Sequence, residues 1–409
     1  MEERENFLRT KLLNSVYGNS MYKNKVEVEV GDDDDDDDGD YDYYFNQNPK
    51  KLRYFNCQPI KVNKKKKVTF KDTEVEEGEV MANDISELLN SAKRTVENNK
   101  ERKKRNAEKN EKIIVSFDGR CQIYNADKNI FRDCEGIIKN YKPSSILVNV
   151  DNDIIFSCGG INKNLINEPR IDECFYYDYD LDFDCKKQEN FKIVDVHRLT
   201  DSRSSHSATK LNGKKILVAG GYDQPYTYFN DSQIIDLDNP QVLIKCGKMN
   251  ECRTFHTSNL IGDAVLVCGG MCRREVKTTE MFYVEIGEFI KQCDMNKNRS
   301  YHSATVLNDG RLMVMGGTST DPFFISDSPT STEYFDVREG KFKIGPSMKN
   351  RRFGHFSTLL KNGKVLLGGC GRDNVPSTKS TEIFDPIANK FEDSVTPDLL
   401  YEFKNGSVI

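Results

Sequence analysis

At 409 residues the chain could hold two or three ordinary domains, and 60 basic against 65 acidic side chains leave a formal net charge of −5, too near balance to mark the whole molecule for nucleic acid. No apolar run reaches the roughly 18 residues of a membrane helix and the N-terminus opens on charges, so no membrane partner and no secretion signal are expected, and the expected compartment is the cytoplasm or the nucleus. The 12 cysteines include no Cys-x-x-Cys pair, so zinc-ligand spacing is absent; Cys158 and Cys268 fall in apolar runs where a thiol acts as a small buried hydrophobe.

Residues 1–82 read as a charged, disordered leader. Asp32–Asp38 is an unbroken acidic run followed by Tyr41, Tyr43 and Tyr44, and Lys64–Lys67 is a basic one; like charges in a row repel rather than pack. KVEVEV (Lys25–Val30) has the alternation of a lone strand. KKKKVTFKD (Lys64–Asp72) resembles the docking peptide shared by regulators of protein phosphatase 1, a basic residue followed by Val-x-Phe, here Lys67, Val68, Thr69 and Phe70. The resemblance implies an extended peptide added to a sheet edge of the phosphatase catalytic subunit. Val68 and Phe70, two apart, would then enter apolar pockets on one side. The same lysines also suit a nuclear localisation signal or plain solvated charge.

Residues 83–111 differ in pattern. After an Asn83-Asp84 start signal, Ile85, Leu88, Leu89, Ala92 and Val96 share one helical face, which predicts a short amphipathic helix running into a charged connector.

From residue 112 onward the chain is repetitive. A short apolar run ending in two glycines recurs as IIFSCGG (Ile154–Gly160), KILVAGG (Lys215–Gly221), VLVCGG (Val265–Gly270), RLMVMGG (Arg311–Gly317) and KVLLGG (Lys364–Gly369). Each reads as a buried strand followed by a turn where backbones crowd together. Apolar residues seven apart across a turn mark hairpins at Tyr124 and Phe131, Tyr176 and Phe183, Ile235 and Val242, Phe282 and Phe289, Phe335 and Phe342, and Phe384 and Phe391. Arg-x-x-His precedes four of the glycine pairs, at Arg203 and His206, Arg253 and His256, Arg299 and His302, and Arg352 and His355. Five glycine pairs and six hairpins at a spacing of about fifty residues predict an all-β, six-bladed propeller over residues 112–409.

These markers, in one order and with one period, resemble the kelch repeat family, whose blades pack around a central channel. Two departures are visible: the chain has no Trp, and the first hairpin lacks its glycine pair. The resemblance implies a ring closed by pairing strands from the two ends of the domain. Asp398–Ile409 matches the opening of a blade such as His302–Met313, and Ile113–Asn125 supplies a later hairpin; together they make about one blade and leave no open sheet edge.

Periodic histidines suit blade construction better than a metal or acid–base centre, and His197 stands alone outside the series. A galactose-oxidase-like propeller enzyme would need a convergent, non-periodic ligand set, so catalytic residues, metal ligands and cofactors are all expected to be none. Function is sought instead in the loops after the glycine pairs, which should emerge on one face. They carry Tyr222, Tyr226 and Tyr228, then Arg273 and Arg274, then Phe323 and Phe324, and finally Arg372, residue types that anchor interfaces. The expected function is a non-enzymatic scaffold for a protein partner on this face, with the leader as a dock for protein phosphatase 1. The rivals are the propeller enzyme and a substrate adaptor of a ubiquitin ligase.

Overall fold

The computed structural model describes residues 112–117, 120–133, 142, 144–151, 154–162, 169–178, 192–224, 227–239, 243–318, 330–369, 379–392, 398–400 and 407–408. The docking peptide Lys67, Val68, Thr69 and Phe70, the acidic run and the helix expected over 83–111 lie outside these residues.

The described strands form six four-stranded antiparallel sheets and two short ribbons. Blade I has β1 (Lys112–Phe117), β2 (Arg120–Asn125) and β3 (Ile130–Asp133). Blade II has β4 (Ile146–Asp151), β5 (Ile154–Cys158), β6 (Glu173–Asp178) and β7 (Lys192–Arg198). Blade III runs β8 (Ser207–Lys210), β9 (Lys215–Ala219), the ribbon β10 (Tyr222–Asp223) and β11 (Thr227–Tyr228), then β12 (Ser232–Asp236) and β13 (Leu243–Lys245). Blade IV repeats this with β14 (Thr257–Ile261), β15 (Ala264–Cys268), the ribbon β16 (Met271–Cys272) and β17 (Arg274–Glu275), β18 (Thr279–Tyr283) and β19 (Glu288–Lys291). Blade V has β20 (Ser303–Val306), β21 (Leu312–Met315), β22 (Thr332–Asp336) and β23 (Lys341–Ile344). Blade VI has β24 (Phe356–Leu359), β25 (Val365–Gly368), β26 (Thr381–Asp385) and β27 (Lys390–Glu392). The final strand, β28 (Ser407–Val408), pairs with β1 (Val115 opposite Val408) and completes blade I. Innermost strands touch in a closed cycle, β4 to β8, β14, β20, β24, β28 and back to β4. The ring of six blades is therefore closed by the C-terminal strand.

Alternation within the second strand of each blade explains why blades pack on both sides. Ile216 and Val218 join Val148 and Phe156 of blade II, whereas Leu217 joins Val265 and Phe282 of blade IV. The pattern repeats with Leu266, Leu312 and Phe335 between blades IV and V, with Met313, Tyr334, Val365 and Phe384 between V and VI, and with Leu366, Val115 and Tyr124 between VI and I. A period of two on a strand with both faces covered requires such continuous apolar runs.

The sequence markers prove to be parts of one joint between blades. Each Arg of Arg-x-x-His is fully buried and holds its own blade: Arg253 Nη1 donates to Gly269 O at 2.7 Å, and its Nη2 donates to Glu280 at 3.0 Å. Arg299 does the same with Gly316 O and Glu333, and Arg352 with Gly369 O and Glu382. In blade III the acid sits two residues earlier, as Asp231, with Gln233 in the usual place of Glu. The Arg backbone meanwhile reaches the preceding blade, since Gly221, Gly270 and Gly317 donate their N–H to the carbonyls of Arg253, Arg299 and Arg352 at 2.7, 2.7 and 2.8 Å.

Four sequence expectations need correction. In blade II Tyr176 pairs with Val194, because the connection after β6 is long; Phe183 lies outside the described residues. In blade III Ile235 pairs with Leu243 rather than Val242, a shift of one across the turn that contains Pro240. In blade VI Gly368 pairs with Phe356 inside the sheet, in the place of Met315, so Gly369 is the structural first glycine. Cys158 is also not a free buried thiol, being bonded to Cys174, its direct neighbour on β6; Cys268 is free and buried.

Candidate functional site

The second x of Arg-x-x-His takes a left-handed backbone in every described blade that has the position. Ser205, Phe255 and Tyr301 have φ of 52°, 54° and 53°, Gly354 has 61°, and Ser144 holds the equivalent place in blade II at 58°. These residues form a belt just ahead of the innermost strands, in which Ser205, Phe255, Tyr301 and Gly354 each donate the backbone N–H to the carbonyl of the residue before it in the belt. Glycine takes this conformation freely, whereas serine bears the ordinary cost of a Cβ there and a bulky aromatic is strained by about 1 kcal/mol or more.

Phe255 and Tyr301 nonetheless occupy two adjacent places and stack, ring centroids 3.8 Å apart and 21° from parallel. Tyr222 lies 6.0 Å from Phe255 and 6.1 Å from Tyr228, its partner across the β10–β11 ribbon. Arg170 covers the Tyr222 ring at 4.8 Å and donates to its hydroxyl at 2.8 Å. The second ribbon stands beside the stack: Met271 is bridged to Thr254, and the buried carboxylate of Glu275 accepts from the hydroxyls of Ser300 and Thr318. Its turn presents Arg273, itself at φ 64°, and Arg274 to solvent.

Of the expected loop residues, the structure brings Tyr222 and Tyr228 together half-buried and exposes Arg273 and Arg274 on the neighbouring ribbon. Tyr226, Phe323, Phe324 and Arg372 lie outside the described residues. Sequence reading missed Phe255, Tyr301 and Arg170. The first two were findable, since they are the aromatic exceptions at a repeat position otherwise held by Ser or Gly.

Below the belt the histidines tie blades together. His256 Nε2 meets Ser207 Oγ at 2.7 Å, His302 Nε2 meets Thr257 Oγ1 at 2.9 Å, and His355 Nε2 meets Ser303 Oγ at 2.8 Å, each hydroxyl belonging to the preceding blade. Burial, helped by the adjacent arginine, pushes His206 and His302 down to about 3 and holds His256 and His355 well below the ordinary imidazole value. Neutral, enclosed rings of this kind do not exchange protons at physiological pH.

A closed ring of blades joined through buried Arg and His, bearing aromatic and basic side chains along one belt, defines a repeat scaffold of the interaction-module class. A family profile described as the KLHDC2/KLHL20/DRC7 Kelch-repeats domain matches residues 145–369, over half of the chain, and the chain belongs to that kelch-repeat family. It is similar to Adagio-like protein 1 of Oryza sativa subsp. japonica, 23% identical over 195 residues that cover 45% of this chain and 30% of that protein. It is similar also to Kelch-like protein 38 of Danio rerio, 25% identical over 166 residues that cover 38% and 26% of the two chains. The chain thus spans under a third of the length of the curated relatives it matches. Fold and family together indicate protein–protein interaction or an adaptor role.

Proposed function

We propose that the protein is a non-enzymatic scaffold whose propeller binds a protein partner at the belt face, and whose leader docks protein phosphatase 1 as a targeting subunit in the cytoplasm or nucleus. The observation behind the first half is the Phe255–Tyr301 stack. Two aromatics sit in left-handed positions where Ser serves at 144 and 205, so the repeat needs the backbone conformation but not the rings. Partly exposed aromatics next to Arg273 and Arg274 are the side chains that most often carry binding energy at interfaces.

The test follows from the repeat itself. Phe255→Ser together with Tyr301→Ser installs the residue that equivalent blades already use, so the fold should be kept, with a modest fall in melting temperature from the lost stack. Affinity capture with the full chain should then lose specific proteins that the natural sequence retains, as it should with Arg273→Glu and Arg274→Glu. An unchanged captured set in both variants rejects the face.

Support for the second half is the match of Lys67, Val68, Thr69 and Phe70 to the docking peptide. Val68→Ala with Phe70→Ala should abolish capture of the phosphatase catalytic subunit. A nuclear localisation signal predicts instead that only replacing Lys64–Lys67 matters, by moving the protein out of the nucleus.

A further inference from the structure

We infer that the Cys252–Cys272 bond is a redox-addressable clamp that fixes the Arg273–Arg274 ribbon on the belt face, a reading that rests on the face assigned above. Two cross-links occur among the described residues, and they differ in access. Cys158 and Cys174 are 1% and 0% exposed between the central strands of blade II, whereas Cys252 and Cys272 are both half-buried. A dithiol can reach the second pair without unfolding the domain, and access governs which bond exchanges.

The clamped element needs help. β16 and β17 are two residues each, with only Met271 opposite Glu275 and Cys272 opposite Arg274, too few pairs to hold a hairpin alone. Its base is anchored twice by backbone, Met271 to Thr254 and Val276 N–H to Gly270 O at 3.0 Å, and by Glu275. At the tip, Cys272 immediately precedes the left-handed Arg273, and its sulfur ties the turn to the linker entering blade IV. That linker is already fixed by the buried Arg253, so losing the bond frees the ribbon tip rather than the blade.

Reduction is a two-electron step. A dithiol of the thioredoxin or dithiothreitol class supplies two electrons and two protons, the S–S bond breaks, Cys252 and Cys272 become thiols, and the dithiol closes to its own disulfide. Arg273 and Arg274 make no ion pair among the described residues, so the freed tip would lose the orientation the partner face requires.

Full-length protein is incubated under native conditions with dithiothreitol, alkylated with N-ethylmaleimide and digested for mass spectrometry, in parallel with hydrogen–deuterium exchange. Cys252 and Cys272 should be labelled while Cys158 and Cys174 stay linked, and exchange over residues 271–276 should quicken about tenfold, reversing on reoxidation, as a local opening does. The double variant Cys252→Ser and Cys272→Ser should show the fast exchange without reductant. The inference is overturned if the blade II bond opens first, if the pair remains as thiols under mild oxidant, or if exchange at 271–276 does not change. The partner-face reading is tested separately by the capture experiment with Phe255→Ser and Tyr301→Ser, so either can fail alone.

Discussion

His206 is buried with neither ring nitrogen hydrogen-bonded among the described residues, while its counterparts each bond a hydroxyl across the seam. The reason lies on the other side. Ile146 pairs with Cys158, the residue before the glycines, and so holds the place that is Ser207, Thr257 or Ser303 in later blades. Ile146→Thr gives up about 1.6 kcal/mol of apolar burial at most, two carbons at about 0.8 kcal/mol each. In return it offers a hydrogen bond worth about 1 kcal/mol and relieves a buried unpaired group that costs about 1–3 kcal/mol. A net gain of about 0.5–2 kcal/mol is expected, and Thr257→Ile should lose about 1–3 kcal/mol by orphaning His302. Urea unfolding of both variants checks this, and a stable Thr257→Ile protein would remove the seam bond from the account. Acid should act on the same residues. The unfolded imidazoles titrate near 6.5, so below that pH the unfolded chain binds more protons than the folded one, and stability falls as pH drops toward 3. Each buried His contributes up to about 1.4 kcal/mol per pH unit, so unfolding midpoints should fall between pH 7 and pH 5, less steeply in His302→Gln. The histidines were legible as repeating parts, but their partners lie 45 to 52 residues away, too far for local patterning to reveal.

At the scale of elements, the glycine pair and Arg-x-x-His are two halves of one contact, which explains why they recur together. A Cβ on Gly269, at φ 59°, would stand 2.5 Å from the Arg299 carbonyl oxygen of the next blade, an atom of fixed backbone. Gly213, in the turn between β8 and β9, has φ 76° and open space around it. Gly213→Ala should therefore cost only the conformational strain, about 1 kcal/mol. Gly269→Ala adds an unavoidable clash and should cost at least about 3 kcal/mol. Equal losses in thermal melts would mean that conformation alone, not the seam, selects glycine there. The paired aromatics were read correctly where a tight turn joins the strands, as in Phe282–Phe289, Phe335–Phe342 and Phe384–Phe391. The spacing failed in blades II and III, where the connection lengthens or shifts by one. The shifted pair at Gly368–Gly369 was invisible for a related reason: Phe356 needs room, and a Cβ on Gly368 would meet its ring at 2.9 Å, so glycine appears one place early. No string of letters distinguishes the two uses.

For the whole molecule, the decisive quantity is how the ring is shut. Side-chain bonds cross the inner strands between blades III and IV (Ser207 with His256, Thr209 with Ser258), IV and V (Thr257 with His302) and V and VI (Ser303 with His355, Thr305 with Ser357). Blade I is completed by β28, which touches both β24 and β4 and gives β1 its inner neighbour. Ahead of that strand, Leu399 is buried against the core shared by blades VI and I, and Leu400 N–H donates to Gln122 Oε1 at 3.0 Å. Both the closing strand and the blade it completes were readable from two incomplete fragments at the ends of the repeat, because an unpaired sheet edge has few acceptable fates. Deleting Leu400–Ile409 removes the ladder on β1, opens its inner edge, uncovers the neighbouring strands β4 and β24, and leaves Gln122 without the Leu400 N–H. Losing the strand's pairing and burial amounts to several kcal/mol, a fall in melting temperature of about 10 °C or more for a domain of this size. Light scattering should rise with concentration as the free edges pair between molecules, and hydrogen exchange should quicken first at Ile113–Val115 and at β24. The seams between blades III and VI should keep their protection, since their bonds do not pass through the deleted strand. A truncated chain that melts with the full one and exchanges β1 no faster would show that the ring is held shut by something other than its C-terminal strand.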